Sequence, residues 1–402
     1  MRGKAAQKWE NEKEPGSSLG NQRGMALIIC LLMLVVVTTI GLTSIMTSSM
    51  EIRLGGNERV TSETLYAAEA GVQHALQALR GQNFDMVVAA AAGQPWLTVN
   101  DFNGVQGLDY LVDVSKTNQA GQLASTGSIF ITSTATHPSG GKKVIEAEVR
   151  NPATIIPVNS SVGIVGNFSE MEFEGTTFIN GDLPAGEPGV PGSDCAENKA
   201  GVAVDTVNAY SQTEVDDDAI ITGIGLSPSI QLRPQDMSAI AIETLAYTIA
   251  AKADRTIVVD ESNDNDIEIG DKTWGTATNP EVTVISMQGE DVELEFEGNV
   301  GGYGILIINS SNNEDGEVEF DGNFTWNGLI IITGDAEFEL EIEGDEATTI
   351  TGAIIIANTA ANTTDLDFEI ETEGNTTIQY SCNALTNAMN YSPLLLEGWH
   401  EI

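Results

Sequence analysis

The sequence predicts an α+β protein with a long N-terminal helix, a small antiparallel β module and a C-terminal parallel β-solenoid (β-helix-like) domain that carries an inserted loop and helix. Three observations predict this order: an uncharged apolar run that continues into a helical pattern, alternating strands after it, and a 24-residue repeat in the C-terminal third. The predicted segments are 1–24 (basic), 25–80 (helix), 81–152 (β module) and 153–402 (acidic solenoid), with the insertion at about 180–254.

Composition limits the classes of partner. The chain has 402 residues, 41% of them hydrophobic, and a formal net charge of −42. Nucleic acid is excluded as a partner because phosphate binding needs clustered Lys and Arg. An acidic surface instead suits solubility, cations or basic partners.

The apolar run from Met25 to Met46 contains no charged residue. At about 1.5 Å per residue it is long enough to cross a bilayer as a helix. Five basic residues precede it and predict a cytoplasmic N-terminus: Arg2, Lys4, Lys8, Lys13 and Arg23. A secretion signal would have a shorter apolar region followed by a small-residue cleavage site. The run is therefore predicted to stay on the protein as a membrane helix.

Helical spacing continues beyond the apolar run as far as Arg80, with apolar residues recurring every three or four positions. Gly55-Gly56 predicts a weak point in the middle. The pattern predicts one long helix, lipid-embedded at its start and amphipathic toward its end.

Two stretches carry a family resemblance: GMALIICLLMLVVVTTIGL from Gly24 and MEIRLGGNERVTSETLYAAEAGVQHAL from Met50. Over about residues 20–80 the chain resembles the N-terminal region of PilX-type minor pilins of the type IV pilus system. Members of that family have a basic leader, a Gly at the cleavage point, an apolar helix, a Gly-Asn-x-Arg segment and an Ala-Ala-Glu-Ala stretch. Here the last two motifs contain Gly56, Asn57, Arg59 and Glu69.

The resemblance implies that prepilin peptidase cuts between Gly24 and Met25 and that the new N-terminus is methylated. The leader would be removed and the helix retained. The implied partners are prepilin peptidase, other minor and major pilins, the inner-membrane assembly platform and the membrane itself. The implied location is the bacterial inner membrane before assembly and the pilus or cell surface afterwards, with the soluble domain periplasmic or extracellular.

The sequence departs from most pilins at the fifth position after the cut, which is Ile29 instead of Glu. An unpaired carboxylate in a membrane is costly, so its absence costs the monomer nothing but removes a contact that sets subunit register. PilX-like pilins and K-type minor pseudopilins commonly lack this Glu. The resemblance thus favours an initiating or tip subunit that displays a surface domain for adhesion or aggregation. The alternatives are a minor pseudopilin of a type II secretion system, a single-pass anchor, and a membrane-anchored polysaccharide-binding protein or enzyme.

Alternating apolar and polar residues in LDYLVDVSKT and GSIFITSTATHPSGGKKVIEAEVRN predict a small antiparallel sheet with a turn at Pro138–Gly141. A boundary is predicted near Asn151. Residues 180–232 are rich in turn residues, and DLPAGEPGVPGSDCAENKAG at 182–201 is the segment predicted to form a loop or lid. PQDMSAIAIETLAYTIAAKADR, from Pro234, has the spacing of a second helix.

The C-terminal third repeats, since Gly304, Gly328 and Gly352 each begin an aliphatic run at intervals of 24 residues. Short acidic strands such as VELEFEG separate these runs, so a parallel solenoid is the best fit. SEMEFEG at 169–175 shares the acidic pattern and predicts that the solenoid begins before the insertion. The aliphatic runs do not alternate, which predicts burial on both faces. Their cover could be the second helix, the lower part of the long helix or another subunit.

Alignment of the units on Gly298, Gly322, Gly344 and Gly374 predicts three outward columns of acids and two inward columns of apolar residues. The first nine acids are candidate metal ligands: Glu293, Glu295, Glu297, Glu317, Glu319, Asp321, Glu339, Glu341 and Glu343. The inward columns are Leu294, Val318, Leu340, Ile370 and Phe296, Phe320, Ile342, Thr372.

Stacked carboxylates in a column would lie about 4.8 Å apart and repel one another by about 1 kcal/mol per pair in bulk water. No Lys or Arg follows Lys272. Raised carboxyl pKa values, a saline habitat or bound divalent ions could each relieve the repulsion. Oxygen ligands favour Ca²⁺, although the spacing is not that of a calcium loop and a solvated acidic face is the simpler interpretation. No other cofactor is predicted.

The cysteines and the acids give little sign of catalysis. Cys195 and Cys382 are candidates for one intrachain disulfide, with buried free thiols as the alternative.

Carboxylates in regular columns without a neighbouring base are typical of a structural repeat. The sequence therefore predicts a structural protein and not an enzyme.

Overall fold

A computed structural model describes most of the chain. The described residues are 22–166, 168, 170–173, 175–187, 197–232, 237–260, 266–289, 292–310, 315–319, 322–334, 337–342, 347–359, 367–372 and 375–402. The chain divides into two units, residues 1–63 and 64–402, and helix α1 contributes to both.

The helices are α1 Gln22–Leu79, α2 Phe84–Ala90, α3 Val207–Ser211, α4 Ala239–Ala250 and α5 Cys382–Asn390. The strands are β1 Leu97–Val99, β2 Asp109–Ser115, β3 Ser128–Thr136, β4 Lys142–Arg150, β5 Ser160–Val165, β6 Glu170–Phe173, β7 Thr177–Asn180, β8 Ala200–Val204, β9 Thr213–Val215, β10 Ile220–Thr222, β11 Ile230–Leu232, β12 Arg255–Asp260, β13 Asp266–Glu268, β14 Lys272–Trp274, β15 Glu281–Gln288, β16 Glu293–Glu295, β17 Gly298–Ser310, β18 Asp315–Glu319, β19 Gly322–Gly334, β20 Glu337–Ile342, β21 Ala347–Asn358, β22 Asp367–Thr372, β23 Asn375–Tyr380 and β24 Leu395–Glu401. Short 3₁₀ helices lie at Phe102–Gly104 and Pro152–Ile155.

The prediction of one long N-terminal helix is confirmed by α1. The predicted weak point at Gly55-Gly56 stays a prediction. The helix runs through both glycines without interruption. Good helix formers on both sides of the pair account for this.

An antiparallel sheet packs on the C-terminal part of α1, and its strand order is β1-β2-β3-β4-β24. The predicted turn at Pro138–Gly141 joins β3 to β4 as expected. Alternate residues of the central strands form one core with the buried face of α1. The helical members of that core are Ala67, Ala68, Val72, Ala75 and Leu79.

The C-terminal strand β24 was not predicted. The sequence placed it in the solenoid, but it pairs antiparallel with β4, where Leu395 lies opposite Arg150. The solenoid is thus an insertion between two neighbouring strands of the antiparallel sheet. The bulge between Leu396 and Gly398 breaks the alternation that would have indicated a strand.

The remaining strands form a parallel solenoid, as predicted. The coils build three faces: an aliphatic face, an acidic face and a third face, on which Asn323 and Thr325 of β19 point outward. The long strands β17, β19 and β21 bend from the third face into the aliphatic face at Gly304, Gly328 and Gly352. Their φ values of 128°, 142° and 140° favour glycine. A Cβ on Gly328 would lie 2.0 Å from the carbonyl oxygen of Gly304.

The coils are not stacked in chain order. The coil of β5, β6 and β7 pairs on one side with β21, β22 and β23, which are the last repeat. On its other side it pairs with the coil of β8, β9 and β10. The solenoid therefore begins before the insertion, as predicted from SEMEFEG. Residues 200–232, predicted to belong to the insertion at about 180–254, instead contain strands of the solenoid, because their short aliphatic runs complete its core.

Helices α4 and α5 cover the aliphatic face. Outward residues such as Ile307 and Ile331 pack with Ile242 and Ile249 of α4 and with Leu385 of α5. This confirms burial on both sides of these strands and identifies the second helix as part of the cover. Helix α4 begins at Ala239, later than predicted, because the Ser238 side chain accepts a hydrogen bond from Ala241 N and caps it. Pro234 lies outside the described residues.

Candidate functional site

The first part of α1 presents an apolar surface. Its large side chains are exposed within the chain, with Met25 at 63% and Leu27 at 68%. It is the only described helix long and apolar enough to cross a membrane. The hydroxyls of Thr38, Thr39 and Thr43 donate to carbonyl oxygens three or four residues earlier, at 2.8–3.0 Å. Because these polar groups are satisfied within the helix, the segment is suited to an apolar medium.

The predicted processing and assembly positions lie along this helix. Gly24 and Met25 fall in its first turn, and Ile29 is 54% exposed. Cleavage between Gly24 and Met25 stays a prediction. Ile29 presents an aliphatic side chain at the position where most pilins have a carboxylate.

The Gly-Asn-x-Arg segment lies on an exposed stretch of α1. Gly56 and Asn57 are exposed, and the Arg59 guanidinium pairs with Glu63 at 2.7 Å, one turn along the same helix. The hydrogen bond and charge of Glu63 raise the pKa of Arg59. Glu69 is half-buried, beside the residues that pack on the sheet. The assembly role of these residues stays a prediction.

Close contacts fix how α1 packs on the antiparallel sheet. Gly71 faces β3 so closely that a Cβ would lie 2.2 Å from Ser133 Oγ and 3.0 Å from the Tyr110 ring. His74 Nδ1 lies 3.0 Å from the Tyr110 hydroxyl, and burial raises the pKa of that tyrosine. His74, an isolated residue in the sequence, therefore has a packing role.

The acidic face has the register that the repeat predicts. Glu293, Glu317, Glu339 and Glu369 form one column of the strand register, and Glu295, Glu319, Glu341 and Glu371 form the next. Between them lies the column of Leu294, Val318, Leu340 and Ile370, of which Leu294 and Val318 are buried in the core. The outer column is only partly described, because Asp321, Glu343 and Glu373 lie outside the described residues. Phe320, from the second inward column, also lies outside them.

No group of three or more His, Cys, Asp or Glu side chains among the described residues is placed to hold a metal ion. The side chains of Glu317, Glu339 and Glu341 lie outside the described part of the structure, although their strands lie within it. The predicted Ca²⁺ site therefore stays a prediction.

A ladder of amide side chains follows one corner of the solenoid. Asn299 Nδ2 donates to Asp271 Oδ1 at 3.3 Å, and Asn323 Nδ2 donates to Asn299 Oδ1 at 3.2 Å. Asn323 Oδ1 in turn accepts from Ala347 N. The hydrogen bonds from the backbone and side chain of Asn299 lower the pKa of Asp271. The sequence did not predict this ladder, although Gly298-Asn299 and Gly322-Asn323, which lie 24 residues apart, are a signal for it.

Cys382 begins α5, is buried and is disulfide-bonded. Its predicted partner Cys195 lies outside the described residues, so that pairing stays a prediction. Cys30 is a free, exposed thiol in the apolar part of α1.

One protein family and several solved structures match parts of this chain. The PilX N-terminal family matches residues 23–73, and no curated protein matches the chain. Among solved structures, the competence-associated pilin ComZ from Thermus thermophilus is 11% identical with a TM-score of 0.20, covering 85% of this chain and 97% of its own. Two structures of the ice-binding protein LeIBP from Arctic yeast are each 12% identical with a TM-score of 0.23, covering 57% of this chain and 92% of their own.

Likenesses with such low TM-scores carry no weight for fold or function. The family match lies on the exposed apolar helix and spans the Gly24-Met25 junction, the Gly-Asn-x-Arg segment and the Ala-Ala-Glu-Ala stretch. On that match, residues 23–73 of this chain are similar to the PilX N-terminal region of type IV pilins.

Proposed function

We propose that the protein is a structural minor pilin that acts in type IV pilus assembly, at initiation or at the tip. The match of residues 23–73 to the PilX N-terminal family is the observation that carries this proposal. The exposed apolar surface of α1 supports it, since such a surface suits first the membrane and then the packed helices of a filament. A structural role without catalysis follows.

Ile29 favours the initiating or tip position. A subunit inside the shaft gains from a carboxylate that pairs with a neighbour's terminal amine, whereas a subunit with an aliphatic residue there loses that pairing. The same feature suits a minor pseudopilin of a type II secretion system, which is the second candidate. Under either proposal the partners are prepilin peptidase, other pilins and the assembly platform.

Display of the solenoid is the second part of the proposal. The solenoid is inserted between β4 and β24, and so it is connected to the antiparallel sheet through two neighbouring strands. Such an insertion can be presented for adhesion or aggregation without altering α1. The high negative charge keeps that domain soluble.

A Gly24→Leu variant tests the proposal, with Gly20→Leu as the matched change inside the leader. We expect Gly24→Leu to remain unprocessed and absent from sheared fibres, and Gly20→Leu to be processed and present. Normal function and location of Gly24→Leu would overturn both pilin proposals. Deletion strains separate the two: loss of surface pili supports the first, and loss of protein secretion with normal pili supports the second.

A further inference from the structure

A pocket of about 490 Å³ lies on the face of the antiparallel sheet opposite α1. Its floor includes Phe130 of β3 and Glu146 and Glu148 of β4, which alternate with residues of the core beneath α1. The loop between β2 and β3 and the edge strand β24 form its sides. The pocket was not predicted from the sequence.

Glu146 is the most buried acid that lines it, with its side chain 2% exposed. Its Oε2 accepts a hydrogen bond from Gln119 N at 2.8 Å. Its Oε1 lies 3.7 Å from His400 Nε2, which is longer than a hydrogen bond. A carboxylate is rarely buried so fully without a paired cation, because its desolvation is costly. Among the described residues, the partners of this carboxylate are one backbone N–H and, when it is protonated, the His400 imidazole, and neither is a permanent cation.

The neighbouring charges do not complete the pairing. Glu148 accepts a hydrogen bond from Ser125 N at 3.0 Å. Glu397 is paired with Arg150 at 2.9 Å, so that arginine is already engaged. A concave site with this excess of carboxylates concentrates a negative potential.

The rest of the lining suits an organic cation better than a bare ion. Phe130, Leu123 and Trp399 supply apolar surface, and Asn118 and Gln122 supply amide groups. Lys and Arg side chains have this dual character, because an apolar stem carries the charged head. An aromatic wall adds attraction for the cation.

The position of the pocket beside β24 indicates how a Lys or Arg side chain of another polypeptide would reach it. In the described sheet, β24 is the edge strand next to β4, and six of its seven residues are exposed. An edge strand can pair with an extended peptide through the backbone. We propose that this pocket binds the side chain of an arginine or lysine that a partner polypeptide presents along β24. The pocket would do so whether or not the protein enters a pilus.

The test uses the full chain in detergent micelles, labelled with 5-fluorotryptophan. The ¹⁹F resonance of Trp399 is assigned with Trp399→Phe. The probe is acetyl-arginine methylamide, and the neutral citrulline analogue is its matched control. We expect a saturable shift with the arginine probe only, and about tenfold weaker binding in Glu146→Gln. Glu401→Gln is the control variant, because it removes one negative charge from β24 at a residue that pairs with Lys143. It should bind the arginine probe as the wild type does.

Glu148→Gln is a second variant, needed in case Glu146→Gln disturbs the loop that Glu146 holds. It should also weaken binding. Equal shifts with arginine and citrulline probes, or no shift at about 10 mM probe, would overturn the proposal, since even a weak specific site would be detectable there. Equal weakening in Glu146→Gln and Glu401→Gln would overturn it too, because it would reflect general attraction to an anionic protein.

Discussion

The Arg80 guanidinium donates hydrogen bonds from Nη2 to both carboxylate oxygens of Asp254, at 2.7 Å and 2.8 Å. Arg80 directly follows α1, and Asp254 lies between α4 and β12. Asp254 Oδ2 also accepts from Val282 N at 3.0 Å. The pair therefore joins the end of α1 to the solenoid, within the unit formed by residues 64–402.

The two partners of this ion pair should contribute unequally to stability. Their side chains are 44% and 27% exposed, so Arg80→Ala should lower the free energy of unfolding by only about 0.5 kcal/mol. Asp254→Ala should cost about 1–2 kcal/mol, since it also leaves Val282 N without its acceptor. Urea unfolding of both variants and the double variant measures the difference. A larger cost for Arg80→Ala would contradict this assignment.

Gly71 should be intolerant of a side chain. Gly71→Ala places a methyl group against Ser133 and Tyr110 in the core beneath α1 and should destabilise the protein by about 1–3 kcal/mol. Gly55→Ala is the matched control, because its Cβ would meet nothing within 4 Å and alanine favours a helix. Ser133→Ala should partly rescue Gly71→Ala. Equal melting temperatures for the two glycine variants would argue against the close packing.

Asp271 should contribute to acid sensitivity. Its folded pKa is lowered by hydrogen bonds from Asn299, so its contribution to stability is present above the ordinary carboxyl pKa and is lost as pH falls through the folded value. Asp271→Asn keeps an oxygen that can accept these bonds but cannot titrate. The stability of the wild type relative to Asp271→Asn should therefore fall between about pH 5 and pH 2. Asp113→Asn, at an exposed position of β2, is the matched change of charge, and an identical pH profile in both variants would contradict the role of Asn299.

The acidic columns should make stability depend on salt. In-register carboxylates repel one another, so raising NaCl from about 20 mM to about 500 mM should raise the melting temperature. Glu317→Gln, which removes one charge from a column, should reduce this dependence. Melting in CaCl₂ and in NaCl at equal ionic strength distinguishes Ca²⁺ binding from charge screening. A higher melting temperature in CaCl₂ would support the predicted cation site, and equal melting temperatures would indicate a solvated acidic face.

The repeat was predictable because its signals are local. Glycine recurs every 24 residues, and the strand pairing places Gly304 beside Gly328 and Gly328 beside Gly352. The acid columns follow from the same spacing. The length of α1 was also predictable, because the apolar run continues directly into a pattern of apolar residues every three or four positions.

The stacking order and the return of β24 were not predictable, because each depends on pairing between distant segments. Gln379 and Asn180, for example, are partners across 199 residues of sequence. Glu146 illustrates the same limit at a site. The alternation of KKVIEAEVR predicts an outward polar residue, whereas its burial arises only when the loop between β2 and β3 folds over the sheet.

The most direct test of the central claim is mass spectrometry of the mature N-terminus, purified from membranes and from sheared fibres. The proposal predicts a chain that begins at Met25 with an added methyl group and that is recovered with other pilins. A mature chain that still begins at residue 1, or one recovered without any fibre protein, would contradict it.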